Sequence, residues 1–383
     1  MWPNSEIPMI SKENDPLSFL EDLLPFKIFQ QSTIFRLFVL AKLINDITLC
    51  LLFDYELILR QMDVKFIKQY YVLYALGAAS FVIILQFCIW CPTVVKFPAQ
   101  VREMGFNLKC AGDTLYQSIL NECKAIKTVI YLNLFMSLLS SLLFFPFNGD
   151  EMRFNFIEFI FEKYNPRYKS FVKGINYLSS MLTGYTMLIP LMFCTHYVTH
   201  IKFQLLLLNE FVKKIKEESG VRDERYQRRI SEKLKFCIYL NNKITRIHKA
   251  VMVINNPLGI LMIFVSTLTF VSAAFFIVSD VSKESNFRMY AVLFTWFLQV
   301  LTYCTTAQSL TDRSEDICIN AYNCPWICWN VKNRKNLLVF LINNLKPLKV
   351  TIYITETNHA LLVKLWRLAY AVLTCLVKVN RNN

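Results

Sequence analysis

The sequence predicts an all-α membrane protein of seven transmembrane helices, with a cytosolic N-terminus, an extracellular C-terminus and a helical cytosolic anchor region. Three observations predict it. The chain is 55% hydrophobic and only 18% charged, with 32 Phe and 8 Gly in 383 residues, a mixture too apolar for a soluble domain. Seven apolar runs, 34–53, 70–91, 128–147, 174–196, 251–278, 289–307 and 352–377, each match the roughly 20 residues that cross ~30 Å of hydrocarbon. With the N-terminus inside, the inner segments 1–33, 96–127, 202–249 and 311–349 hold 26 Lys and Arg, whereas the outer segments 59–69, 148–173, 280–288 and 378–383 hold 12. That asymmetry is the positive-inside bias. The net charge of +14 then reflects a basic cytosolic face, and no nucleic-acid partner is called for.

The cytosolic N-terminal segment 1–33 lacks a basic n-region, and Glu21 and Asp22 interrupt its one apolar patch. It does not read as a cleavable signal, so the first span serves as its own insertion signal. That span carries Arg36, Lys42, Asn45 and Asp46. Asp46 is either a proton or ion relay or, standing at i+4 from Lys42, one half of an internal ion pair, the reading favoured because charges at such depth turn toward protein or water. Residues 34–310 make a six-helix transmembrane bundle. In the outer loop 148–173, "FNFIEFIFEKYNPRYKSF" is aromatic enough either to fold over the outer mouth as a lid or to lie in the interface. In 209–249, Ile230, Leu234, Cys237 or Ile238, and Ile244 keep helical spacing beside a basic face. This is either a helix lying on the anionic leaflet or one running beyond the membrane to pack on its neighbours. Gly220 marks a break between two helices.

Enzyme signatures are missing: there is no Gly-rich phosphate loop, no Gly-x-Ser-x-Gly and no His-Glu-x-x-His. His196 and His200 have metal-ligand spacing, but no third ligand is evident and they read as a structural pair. Cys324 and Cys328 have no matching second pair. No metal and no cofactor is expected. None of the 12 Cys lies in the three outer loops, so the thiols stay reduced. A G-protein-coupled receptor would place its N-terminus outside and carry Asp-Arg-Tyr and Asn-Pro-x-x-Tyr, which the chain lacks.

From Ser314 the chain reads "SEDICINAYNCPWICWNVKNRKNLLVFLINNLKPLKVTIYITETNHALLVKLWRLAYAVLTCLVKV". It resembles the carboxy-terminal signature of insect odorant receptors in Ser314-Glu315, Ala321-Tyr322, Trp326, the stretch around Lys335 and Leu337, Lys346-Pro347 and Tyr370. Leu345 replaces the usual Gln, Ile352-Tyr353 replaces the common Ala-Gly, and the last helix holds a single Tyr. The chain therefore resembles a divergent ligand-tuning member, and it lacks the long cytosolic insertion of the shared co-receptor. Related gustatory receptors follow Thr-Tyr with Gln-Phe in the last span, whereas "AVLTCLV" follows Tyr370.

The resemblance implies a subunit of a heterotetrameric, odorant-gated, non-selective cation channel in the plasma membrane of olfactory sensory neurons. Its partners would be a co-receptor, a volatile organic ligand, the bilayer and permeating cations. Residues 311–350 would form the assembly anchor through Tyr322, Trp326, Leu337, Leu338, Leu341 and Pro347, with Phe340 and Leu345 completing the apolar spacing. Trp326 and Trp329 could seat it at the inner membrane surface. In the pore segment 351–383, Trp366, Tyr370, Leu373 and Val377 share one face; by resemblance Leu373 and Val377 form the gate, closing it by dewetting. Lys364 and Arg367 would turn toward protein or a wide vestibule. The ligand would sit in the outer half of the membrane, among Tyr71, Tyr74 and Phe81; Ser137, Ser141 and Phe145; Tyr177, Met181 and Tyr185; and Tyr290, Phe294 and Phe297. The alternatives are a homomeric gustatory-type channel and a metabotropic seven-span receptor.

Overall fold

The computed structural model describes residues 14–61, 64–143, 166–217, 223–278 and 286–382. Two short helices, α1 (Ser18–Leu23) and α2 (Phe26–Gln31), lead into α3 (Thr33–Leu59). The long helices α4 (Val64–Met104), α5 (Asp113–Leu143), α6 (Lys169–Thr186), α7 (Ile189–Lys216), α8 (Glu224–Val278) and α9 (Asn286–Tyr322) follow. The chain closes with α10 (Val331–Asn344), an antiparallel hairpin of β1 (Thr351–Ile352) and β2 (Thr355–Glu356), and α11 (His359–Asn382).

Among the described residues six stretches are long and apolar enough to cross a membrane, beginning at Tyr70, Asp113, Lys173, Glu224, Asn286 and His359. Helix α3 is too charged to join them by composition, yet its 27 residues reach about 40 Å at ~1.5 Å per residue. Its side chains explain how it joins the bundle. Ile34, Leu37, Ile44, Leu51, Tyr55 and Ile58 are exposed at helical spacing, a largely apolar stripe suited to lipid. Lys42 and Asp46, 6% and 1% exposed, turn inward and pair at 2.5 and 2.7 Å. This central pair of charges faces protein, whereas Arg36 and Asp54, nearer the helix ends, are exposed.

Helix α7 is the axis. Its residues from Ile189 to Leu205 are all buried, packed by α9, α8 and α1. The run 174–196, expected as one span, is broken at Met187 and Leu188 between α6 and α7. Pro190 near the start of α7 explains the break, since it supplies no N–H and its ring collides with a continuing helix.

Of the two readings for 209–249, the packed extension is the observed one. Helix α8 is continuous for 55 residues, and Tyr226, Ile230, Leu234, Cys237 and Ile244 are buried along its first half. At ~1.5 Å per residue it is about 80 Å long, far more than the bilayer needs. Gly220 lies outside the described residues, as does most of the expected lid.

The segment "CINAYNCPWICW" docks on that extension. Helix α9 runs on to Tyr322, and Trp329 then buries its ring to 2% exposure and donates Nε1–H to the Tyr226 hydroxyl at 3.2 Å. Asn333 Nδ2 donates to the Gln227 carbonyl at 2.8 Å, and Gln227 Nε2 to the Cys328 carbonyl at 3.1 Å. Trp329 is therefore core and not a membrane-surface anchor, a correction that its hydrogen bond to α8 explains. The assembly residues divide likewise. Leu337 and Phe340 are buried in this chain's own core, with Leu341 and Trp326 partly so. Leu338, 56% exposed, and Tyr322 face outward with Leu345. Pro347 stands beyond the end of α10.

Residues 352–358, expected to open the last span, instead form the hairpin and the turn into α11. Ile352 fits against Gly259 so closely that a Cβ there would meet its side chain at 2.6 Å. Tyr353 takes φ = 52°, a left-handed conformation that costs a non-glycine residue about 1–2 kcal/mol. The Gly usual in the resembling family at this position would adopt it freely. Because Tyr353 is exposed, Tyr353→Gly should stabilise the fold by about 0.5–1 kcal/mol after the chain-entropy cost of Gly, read as a higher unfolding midpoint in detergent.

Candidate functional site

A cavity of about 190 Å³ lies between α3, α4, α5, α6, α8 and α9, with Pro190 of α7 in its wall. Phe53 and Tyr74 stack at 4.5 Å at the end where α3 gives way to α4. Small polar side chains line the middle: Ser137, Ser140 and Ser141 of α5, Ser179, Ser180 and Thr183 of α6, Ser266 and Thr269 of α8, and Thr295 of α9. Met262, Val265 and Val292 supply apolar wall.

Most of these hydroxyls already donate to protein. Ser137 Oγ donates to the Gly184 carbonyl at 2.6 Å, Ser141 Oγ to the Ser137 carbonyl at 3.0 Å, and Ser180 Oγ to the Tyr177 carbonyl at 2.9 Å. Ser140 and Thr295 share a hydrogen bond of 2.6 Å. The wall thus offers lone pairs and little donor capacity. Trp296 adds a donor to the wall: its buried Nε1–H has no hydrogen-bond partner. Lys42 reaches the same wall, bridging Asp46 and the Thr183 hydroxyl at 2.9 Å, while Asn45 donates to Ser179 at 2.9 Å. Gly184 is required here, because a Cβ would collide with Ser141 Oγ and come within 2.9 Å of the Ser137 carbonyl.

The cavity touches the last helix through one aromatic cluster. The Trp296 ring lies 4.7 Å from Phe270, and Phe270 lies 5.2 Å from Trp366 of α11. This cluster is apolar and continuous, so a displacement of Trp296 is felt by α11.

The family model described as 7tm Odorant receptor matches residues 113–370, two-thirds of the chain. The chain belongs to the odorant receptor family. The same fold is found in the insect olfactory receptor OR5 from Machilis hrabei, with a TM-score of 0.75 at 13% identity over 92% of this chain and 91% of that one. The structure of that protein in complex with eugenol matches with a TM-score of 0.63 at 15% identity and the same coverage. No curated protein sequence is similar enough to count as a relative. The family is one of receptors, not enzymes.

In this receptor the expected pocket residues separate by helix phase. Tyr74, Ser137, Ser141 and Tyr177 line the cavity. Tyr71 stacks behind Tyr74 at 5.9 Å, and Phe81 and Met181 are half-buried outside the lining. Tyr185 points away, donating its hydroxyl to the Leu23 carbonyl at 2.5 Å. Tyr290, Phe294 and Phe297 occupy the outward face of α9; Phe294 is 53% exposed. Met289, Val292, Thr295 and Trp296 are the inward residues of that helix. Phe145 lies outside the described residues. Sequence reasoning missed Trp296, Gln299 and the entire contribution of α3 and α8. A signal for α8 existed in Ser266 and Thr269, two hydroxyls at i, i+3 inside an apolar span, where polar groups mark a lined cavity.

On α11, Leu361, Leu365, Ala369, Leu373 and Leu376 pack on the bundle. Trp366 touches Phe270 at its border, Tyr370 is exposed and Val377 is half-buried. Leu373 is thus half-buried against the bundle, whereas Tyr370, one turn earlier, is exposed. Lys364 and Arg367 are exposed. The Cys324 thiol, pushed up to about 11 by burial, stays protonated at neutral pH, which suits a core residue better than a zinc ligand. His196 and His200 are buried, not on a helix surface, and Asp15 joins them as a third group.

Replacing Lys42 by Met leaves the Asp46 carboxylate buried without its cation, a loss of about 3–5 kcal/mol. Lys42→Met should therefore lower the unfolding midpoint strongly, and adding Asp46→Leu should recover most of it.

Proposed function

We propose that this receptor binds a small, mainly apolar volatile in the α3–α9 cavity and, as the tuning subunit of a heterotetramer with a co-receptor, opens a non-selective cation pore beside α11. The observation that carries the reading is the Trp296–Phe270–Trp366 cluster, in which a cavity wall and the last helix share one packed unit.

The ligand class follows from size and lining. A dry apolar cavity of about 150 Å³ takes benzene, so about 190 Å³ suits one ring with short substituents. Eugenol, the ligand of the Machilis receptor complex, has that form. Trp296 Nε1–H would donate to a carbonyl, ether or hydroxyl oxygen, and Ser140 and Thr295 lie in the same wall. A cytosolic N-terminus, supported by the distribution of basic residues, puts the α3–α4 end of the cavity in the outer half of the membrane.

The pore role rests on α11. Lys364 and Arg367 are exposed on a helix that its own bundle covers on one side only. Charges so placed do not face lipid at low cost, which favours a water-lined path or a neighbouring subunit. The outward face of α10 and its flank, with Leu338, Ile342, Leu345 and Tyr322 exposed, is the surface a partner subunit would cover. Membrane helices gain little from association in lipid, so contact beyond the bilayer is the efficient place to hold subunits.

The test is whole-cell recording with an odorant panel, with and without an insect odorant co-receptor, while G-protein signalling is blocked. Current only on co-expression, reversing near zero, is the expected result; current from this chain alone, or loss of the response under the block, contradicts the proposal. In the same cells Trp296→Phe keeps an aromatic ring, though a smaller one, and removes the N–H donor, a hydrogen bond worth about 0.5–1.5 kcal/mol. The potency of oxygen-bearing odorants should fall about 2- to 10-fold, whereas Phe294→Ala should leave it unchanged.

A further inference from the structure

Beyond the ligand cavity, the densest set of metal-ligating groups among the described residues is Asp15, His196 and His200. All three are buried, and one donor atom of each lies within 4.8 Å of the other two. We propose that these residues bind a zinc-class divalent cation that clips the N-terminal segment to α7.

The geometry suits the ion. His196 and His200, one turn apart on α7, present imidazoles whose centroids are 4.8 Å apart with planes at 83°. Asp15 Oδ2 lies 3.2 Å from His200 Nε2. Ligands around a tetrahedral zinc with bonds of roughly 2.0–2.1 Å stand about 3.3–3.4 Å apart, so this pair is already at the ion's spacing. His196 needs a small side-chain shift to complete the set. Asp15 Oδ1 accepts the Leu17 N–H at 3.0 Å, a bond that orients the carboxylate and leaves Oδ2 for the metal, as outer partners of metal ligands do.

Partner counts point the same way. Both ring nitrogens of His196 are buried without a hydrogen bond, and the one contact of Asp15 Oδ2 among the described residues is with His200 Nε2. His196 is 1% exposed, and at least one of its nitrogens is a buried lone pair, the form that ligates metal. Nearby cations are engaged elsewhere: Arg102 pairs with Glu21, and Lys202 with Glu122. Among the described residues no Lys or Arg pairs with Asp15, and a bound cation would neutralise it. Two imidazoles and one carboxylate are ligands that zinc favours.

The site has a structural consequence. Leu17 and Leu20, on either side of the start of α1, are fully buried in the main core, and the metal would lock this lead-in segment against the axial helix.

The test uses the full chain purified in detergent, stripped with EDTA and titrated with Zn²⁺ against a chromophoric chelator. One equivalent should bind, the unfolding midpoint should rise with Zn²⁺, and both Asp15→Asn and His196→Gln should weaken binding at least tenfold and abolish the rise. If neither variant folds, the wild-type chain loaded with Co²⁺ decides: the intense visible absorption of a tetrahedral ion, displaced by Zn²⁺, supports the site. No zinc binding and no shift in the wild type would mean a plain Asp15–His200 ion pair and overturn the proposal. Binding unchanged in folded variants would place the zinc elsewhere and overturn it equally.

Discussion

The constraint on which the rest of the structure depends is the burial of α7. Burying polar side chains on such a helix is costly unless they find partners, and the partners found by Gln204, Asn209 and Lys202 set the register of the bundle. Gln204 exchanges two hydrogen bonds with the backbone of Phe106, at 3.0 and 3.1 Å, fixing the connection between α4 and α5. Asn209 accepts from Asn320 Nδ2 at 2.8 Å, fixing the far end of α9. Lys202 takes Glu122 of α5. Shifting α7 by one residue would break all of these together, leaving buried groups unpaired at roughly 1–3 kcal/mol each.

The cavity is a consequence of where that axis stops. Pro190 ends the regular course of α7, and α6 departs at a break, so the helices around it do not close on one another. The gap is lined by side chains too short to fill it, serines and threonines whose hydroxyls fold back on backbone carbonyls of their own or adjoining helices. One large lining side chain, Trp296, packs through Phe270 on Trp366 of α11. Packed aromatic contacts of this kind transmit displacement because interiors are nearly incompressible.

Much of the fold was legible because period and length are local properties. The seven spans, the inward ion pair of α3 and the helical extension of α8 all follow from spacing within one helix. Errors arose where choice depended on a neighbour. Tyr290, Phe294 and Phe297 are aromatic and invite a place in the pocket, but the phase of α9 is set by contacts with α5, where Ser140 meets Thr295, so Thr295 and Trp296 face inward. Trp329 looked like an interface anchor because its partner, Tyr226, lies on a different helix. The hairpin before α11 was hidden because "TIYITE" is apolar enough to extend a membrane run. Asp15 could not be joined to His196 and His200 from sequence, since only folding brings the lead-in segment to α7.

The central claim is that the cavity is the ligand site that controls the channel. Thr269→Phe tests it most directly, since Thr269 lines the cavity and is almost wholly buried, and a ring there occupies the ligand's space. Odorant dose–response would be recorded alongside surface expression and unfolding midpoint. The account predicts a rise of at least tenfold in the odorant concentration needed for half-maximal current, with normal surface expression and a preserved fold. An unchanged dose–response at normal expression would contradict it and place the ligand elsewhere.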